Sequence, residues 1–95
     1  MSAVIEAAVA ALKQKMPDGF DGVAKFVFAG EGAIMVDQEG VRAADEPADV
    51  TLTADTEVFR AMLDGDLSPT TAYMTGKLAI DGSLGLAMQL GAAMS

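Results

Sequence analysis

The spacing of apolar residues changes period several times along the chain, and each change marks an element. Ile5, Val9, Leu12 and Met16 recur at helical spacing in an Ala-rich background, with Ser2 placed to cap and Lys13 and Lys15 near the C-terminal end, so residues 2–16 predict an amphipathic helix. Pro17-Asp18-Gly19 ends it. Residues 23–29 are then β-branched and aromatic, and Ala33 to Val36 is a second short apolar run, which predicts two strands joined at Gly30-Glu31-Gly32. Asp37-Gln38-Glu39-Gly40 reads as the next turn and Val41 to Ala44 as a third strand, giving an antiparallel meander. Residues 44–49, with Asp45, Glu46 and Pro47, read as a solvated connection.

The second half alternates more strictly. Val50, Leu52 and Ala54 fall on one face of a strand and Asp49, Thr51 and Thr53 on the other. Asp55 is placed to cap the following helix, Glu57 suits its positive end, and Val58, Phe59, Met62 and Leu63 form its inner stripe before Gly65 stops it. Ser68-Pro69 is a helix start, with serine as cap and proline at the first helical position, and Gly76 stands where a left-handed C-terminal residue belongs. Leu78 and Ile80 alternate inward in a fifth strand, and Gly82-Ser83 opens the last helix. The order α-β-β-β-β-α-α-β-α, without repeat or linker, predicts one α+β domain over residues 1–95, its helices gathered on one face of the sheet and its other face wet.

Residues 84–94 stand apart, because Gln89 is the only polar side chain among them. As a helix this segment is apolar all round. Leu86, Leu90 and Met94 lie on one line and Leu84, Ala87, Met88 and Gly91 on another, so packing on the sheet hides only part of the surface. The remainder calls for a partner chain, a membrane surface or an apolar ligand. Six methionines beyond Met1 point the same way, since flexible thioethers suit a cavity that takes variable alkyl chains; they suit a loosely packed small core equally well.

Composition removes most chemistry. The chain has no Cys, Trp or His, which excludes disulfides, thiol nucleophiles, His/Cys zinc sites and imidazole-based triads. A net charge of −8 disfavours nucleic acids and anionic membranes as partners, leaving at most transient membrane contact. No apolar run reaches the ~18–20 residues of a membrane span, and the N-terminus lacks the basic region of a signal peptide, so the expectation is a cytoplasmic protein. Gly76-Lys77 is not a P-loop, since Thr71 replaces the first glycine and Leu78 the magnesium-binding hydroxyl. Asp64-Gly65-Asp66-Leu67-Ser68 opens like a calcium loop, but Thr75 stands where the bidentate acid belongs. Ser83 has no histidine to activate it and is a helix cap. The acids Asp18, Asp21, Asp37, Glu39, Asp45 and Glu46 fall in turns without the pairing of an acid/base site. Neither catalysis nor a metal or organic cofactor is expected.

The run from Gly65 to Gly82 resembles the signature of the sterol carrier protein 2 (SCP-2) family, Gly-x-Leu-x-Pro-x-x-Ala-aromatic-Met-x-Gly-Lys-Leu-x-Ile-x-Gly. Residues 49–53 are similar to the family's strand before the helix that carries Phe59, and residues 84–90 to its C-terminal segment. The resemblance implies a five-stranded mixed, largely antiparallel sheet with helices on one face and an apolar tunnel for a fatty acid, acyl-CoA, phospholipid or sterol. In that picture Phe26, Phe28, Val50 and Leu52 form the sheet side, and Phe59, Met62 and Leu63 the helix side. Tyr73, Met74, Leu78 and Ile80 make the signature wall, Leu84, Leu86, Met88 and Leu90 close it, and Gln89 meets a head group at the mouth. An acyl chain of ~15 methylenes at ~0.8 kcal/mol each offers roughly 12 kcal/mol gross, of which about half or less survives association, consistent with micromolar binding. Relative to basic eukaryotic members with a peroxisomal C-terminal tripeptide, this acidic chain ending Ala93-Met94-Ser95 reads as bacterial. Because folds do not fix roles, the alternative is an accessory module whose apolar C-terminal helix docks on a second copy or on a lipid- or quinone-pathway enzyme.

Overall fold

In a computed structural model, which describes residues 3–94, nine elements follow one another in the predicted order. They are α1 (Ala3–Lys15), β1 (Ala24–Phe28), β2 (Gly32–Asp37), β3 (Gly40–Ala43), β4 (Val50–Ala54), α2 (Thr56–Leu63), α3 (Pro69–Met74), β5 (Leu78–Gly82) and α4 (Leu84–Met94). The expected cap at Ser2 and the side chain of Met94 lie outside the described residues.

The strands form one mixed sheet in the order β3-β2-β1-β4-β5. β1 is antiparallel to β2 and parallel to β4; β2–β3 and β4–β5 are antiparallel. Period-two alternation decides the faces: Ala24, Phe26 and Phe28 of β1, Ile34 and Val36 of β2, and Val50, Leu52 and Ala54 of β4 all turn into the layer between sheet and helices and are buried. There they meet Ile5, Ala8 and Leu12 of α1 and Phe59 and Met62 of α2. Phe59 stacks on Phe28 at 4.3 Å between ring centroids and meets Phe26 edge-on at 5.6 Å, arrangements worth about 0.5–1.5 kcal/mol each beyond area burial.

Two local expectations are corrected. Asp55 occupies the cap position of α2, but its carboxylate accepts no bond from the helix; its carbonyl accepts from Val58 and Phe59 N–H instead. The far face of the sheet is also not simply wet. Met35 alternates away from the main core, opposite Lys25 and Arg42, yet is fully buried. From edge strand β3 the chain must cross β2 and β1 to reach β4, and residues 44–49 do so on that far face, where Lys25 Nζ meets Asp45 at 2.9 Å and Arg42 meets Glu46 at 2.7 Å. The connection is solvated as read, with Asp45, Glu46, Pro47 and Asp49 exposed, and it also straps the far face of the sheet.

Arg42 also holds Asp37 at 2.9 Å. Its guanidinium keeps the Asp37 carboxyl below the ordinary value of 3.8, aided by the N–H of Glu39, while both carboxylates raise the Arg42 pKa further. A carboxyl that titrates lower in the folded chain stabilises it above pH 3.8 and loses that contribution as pH falls through the folded pKa. In urea titrations, Asp37→Asn is expected to be less stable than the parent by a constant margin from pH 7 down to about 5, the margin closing at lower pH.

Two glycines at the ends of β5 separate backbone freedom from space. Gly76 has φ +79° with nothing near its missing side chain, whereas at Gly82, φ +102°, a Cβ would run into the carbonyl oxygen of Asp49. Gly76→Ala is expected to cost about 1–2 kcal/mol in chemical denaturation. Gly82→Ala costs more, about 3 kcal/mol or above, because the strand must shift as well.

Candidate functional site

The site is assembled from the second half of the chain. In the antiparallel β4–β5 pair Leu52 stands opposite Ile80 and Ala54 opposite Leu78, so Leu52, Leu78 and Ile80 form one apolar floor. α3 makes one wall because its ends are fixed tightly. The Ser68 hydroxyl accepts the Thr71 N–H at 3.4 Å ahead of Pro69. At the other end Gly76 N–H donates to Tyr73 O at 3.2 Å and Lys77 N–H to Ala72 O at 2.9 Å, the paired bonds of a left-handed glycine cap. α2 ends the same way at Gly65, with Asp66 N–H on Ala61 O at 2.8 Å. α4, the second wall, starts where the Ser83 hydroxyl accepts the Leu86 N–H at 3.2 Å.

α4 then divides its apolar circumference. Leu90 is buried and Leu86 packs against the core, with a methyl 3.3 Å from the place a Cβ would take at Gly22. The other line, Leu84, Ala87, Met88 and Gly91, turns with Ala92 toward α3 and the sheet. Between them lies a partly open groove of about 360 Å³, lined by Leu52, Leu78 and Ile80 below, Ser68, Pro69, Thr70 and Tyr73 on one side, and those α4 residues on the other. Its volume lies near the lower end of the roughly 300–1,000 Å³ typical of small-molecule sites. No charged residue lines it, and its polar side chains are three hydroxyls, Ser68, Thr70 and Tyr73. Gly91 faces Pro69 across the groove's walls, where a Cβ would sit 3.5 Å from the ring.

Of the sixteen residues expected at a ligand site, the groove brings together Leu52, Tyr73, Leu78, Ile80, Leu84 and Met88. Phe28 and Leu63 lie instead at a second cavity of about 240 Å³ between α1 and α2, beside Val4, Ala7, Ala8, Ala11, Thr56, Arg60 and Asp64. Phe26, Val50, Phe59, Met62 and Leu90 are in the closed core, Leu86 packs at its margin, and Met74 and Gln89 point into solvent. Ser68, Pro69, Thr70, Ala87, Gly91 and Ala92 complete the groove. For Ala87, Gly91 and Ala92 the signal is size: small residues on the same α4 face as Leu84 and Met88.

Among the described residues no group of three or more acids is placed to hold a metal ion, and no helix is long and apolar enough to cross a membrane.

Residues 4–95 match the family model described as the SCP-2 sterol transfer family. Over 77 residues, 73% of this chain, the sequence is 43% identical to hydroxysteroid dehydrogenase-like protein 2 of Danio rerio, and over 62 residues, 64% of the chain, it is 40% identical to sterol carrier protein 2 of Gallus gallus. These matches span only 19% and 10% of those relatives' lengths. In architecture the chain is similar to the solution structure of SCP-2 from Aedes aegypti in complex with palmitate, with a TM-score of 0.80 and 20% identity over 100% of this chain and 97% of that one. The mixed sheet and its helices are those of that fold.

We expect Gly91→Ala to be accepted, because its Cβ would make ordinary van der Waals contact with Pro69, and to raise stability by up to about 1 kcal/mol through helix propensity. Gly91→Leu projects its branched end into the groove. Thermal denaturation of the two variants checks the first statement, and uptake of an acyl probe the second.

Proposed function

The chain belongs to the SCP-2 sterol transfer family, and from that premise we propose that it is a non-catalytic lipid carrier that holds an alkyl chain in the groove between β4–β5, α3 and α4. The carrying observation is the lining of that groove. Leu52, Leu78 and Ile80 supply a floor that water wets poorly, and no charged group competes for it. A bound chain gains up to ~0.8 kcal/mol for each methylene removed from water. The hydroxyls of Ser68, Thr70 and Tyr73 offer hydrogen bonds to an ester, hydroxyl or carboxyl oxygen at the groove's edge, while a charged head group keeps its hydration by staying outside. The fold's use in proteins named for sterol transfer and the palmitate of the mosquito complex support this choice of ligand class.

Leaving the ligand's charge in water makes affinity depend on chain length rather than on head group. In a series of saturated fatty acids displacing a fluorescent acyl probe, each added methylene is expected to tighten binding by up to about fourfold until the groove is filled, after which affinity levels off. Gly91→Leu weakens the long-chain members by tenfold or more. Extraction of the purified chain should yield a stoichiometric lipid. A chain that carries no lipid and takes up no acyl probe would overturn the carrier reading, as would a series with no dependence on chain length.

A further inference from the structure

Among the described residues, four large apolar side chains are exposed on the elements that build the groove: Met74 at 79%, Met88 at 77%, Leu84 at 52% and Tyr73 at 45%. Tyr73, Leu84 and Met88 also line the groove, so the exposed surface and the groove's opening are continuous. The charge map sets this face apart. All fourteen acids lie outside residues 67–80 and 82–95, and within those two stretches Lys77 is the one charged residue. The rest of the chain holds five basic and fourteen acidic residues, a net −9. The chain as a whole is at −8, but the side chains of α3 and α4 include no carboxylate.

We propose that this α3–α4 face docks reversibly on an electrically neutral lipid surface, placing the groove's opening against the acyl chains. Lowering α3 and α4 onto a bilayer buries no carboxylate of either helix, and Lys77 can keep its ammonium among the head groups while its stem lies on apolar surface. Methionine side chains adapt to a disordered acyl layer at little cost. A second copy of the chain is the poorer occupant. A stable protein interface takes about 800 Å² and 20–30 residues from each partner, whereas α3 and α4 hold 6 and 11 residues, part of them buried. It would also close the groove's opening against protein. The proposal deepens the carrier reading and rests on it for its purpose, since a lipid that gains little between groove and bilayer exchanges only if the two meet.

The test uses Met74, which protrudes next to Tyr73 but does not line the groove. The full chain is floated with small phosphatidylcholine vesicles, and acyl-probe uptake is measured separately in vesicle-free buffer. The parent chain is expected to float, and Met74→Glu to partition about tenfold less while taking up the probe as before. Met74→Leu should float like the parent. Equal flotation of parent and Met74→Glu would overturn the proposal, as would no flotation of the parent. A concentration-dependent dimer abolished by Met74→Glu, without flotation, would assign the face to a second copy. Loss of probe uptake by the parent chain itself would instead count against the carrier reading and leaves the flotation result to stand alone.

Discussion

Leu52 opposite Ile80 and Ala54 opposite Leu78 is the pairing on which the rest of the site depends. A shift of β5 by one residue would turn Leu78 and Ile80 to the other face and give the groove a floor of Ala79 and Asp81. The register is held from both ends. The left-handed cap at Gly76 delivers the chain from α3 into β5, and beyond it Gly82 lies against the Asp49 backbone, where Ser83 N–H bonds Asp49 O at 3.1 Å. Asp49 is in turn tied to Val23, its N–H donating to the Val23 carbonyl at 2.9 Å and its carboxylate accepting the Val23 N–H at 3.3 Å. The edge strand is thus coupled through Asp49 to the start of β1.

The layer between sheet and helices is divided by side-chain size. On the β1 side Phe26, Phe28 and Phe59 fill the space with Met62 and Leu12 and leave only the smaller cavity of about 240 Å³ beside α1. Toward β5 the facing positions of α4 include the small residues Ala87, Gly91 and Ala92. The same α+β frame therefore carries a more fully packed half and a hollow half. The strap of residues 44–49 contributes on the far face, where Asp45 and Glu46 pair with Lys25 and Arg42, the two residues opposite Met35.

Much of this was legible in the sequence, because it rests on local rules. Ser68-Pro69, Gly65 and Gly76 place the ends of α2 and α3, and strict alternation places the inward faces of β4 and β5. The two lines drawn on α4 separate into a buried one, through Leu90, and a groove-facing one, through Leu84, Ala87, Met88 and Gly91. Periodicity tells which way a side chain points, however, and not whether it meets a neighbour or a void. Phe26, Phe59 and Met62 point inward as read, yet meet one another. Leu63 and Phe28 point toward α1, whose alanines leave a separate, smaller cavity. Met35 and the strap were illegible for a different reason: the strap's path joins two strands far apart in the sheet across the face to which Met35 turns, which no local pattern records.

The central claim is that an alkyl chain occupies the hollow half and not the cavity under α1. The most direct measurement is an isotope-filtered NMR experiment on methyl-labelled protein with unlabelled palmitate, reading contacts between protein methyls and the acyl chain. The account predicts cross-peaks to Leu52, Leu78, Ile80, Leu84 and Met88 and none to Val4 or Leu63. Cross-peaks to Val4 and Leu63 with the groove methyls silent, or no contacts at saturating palmitate, would contradict it.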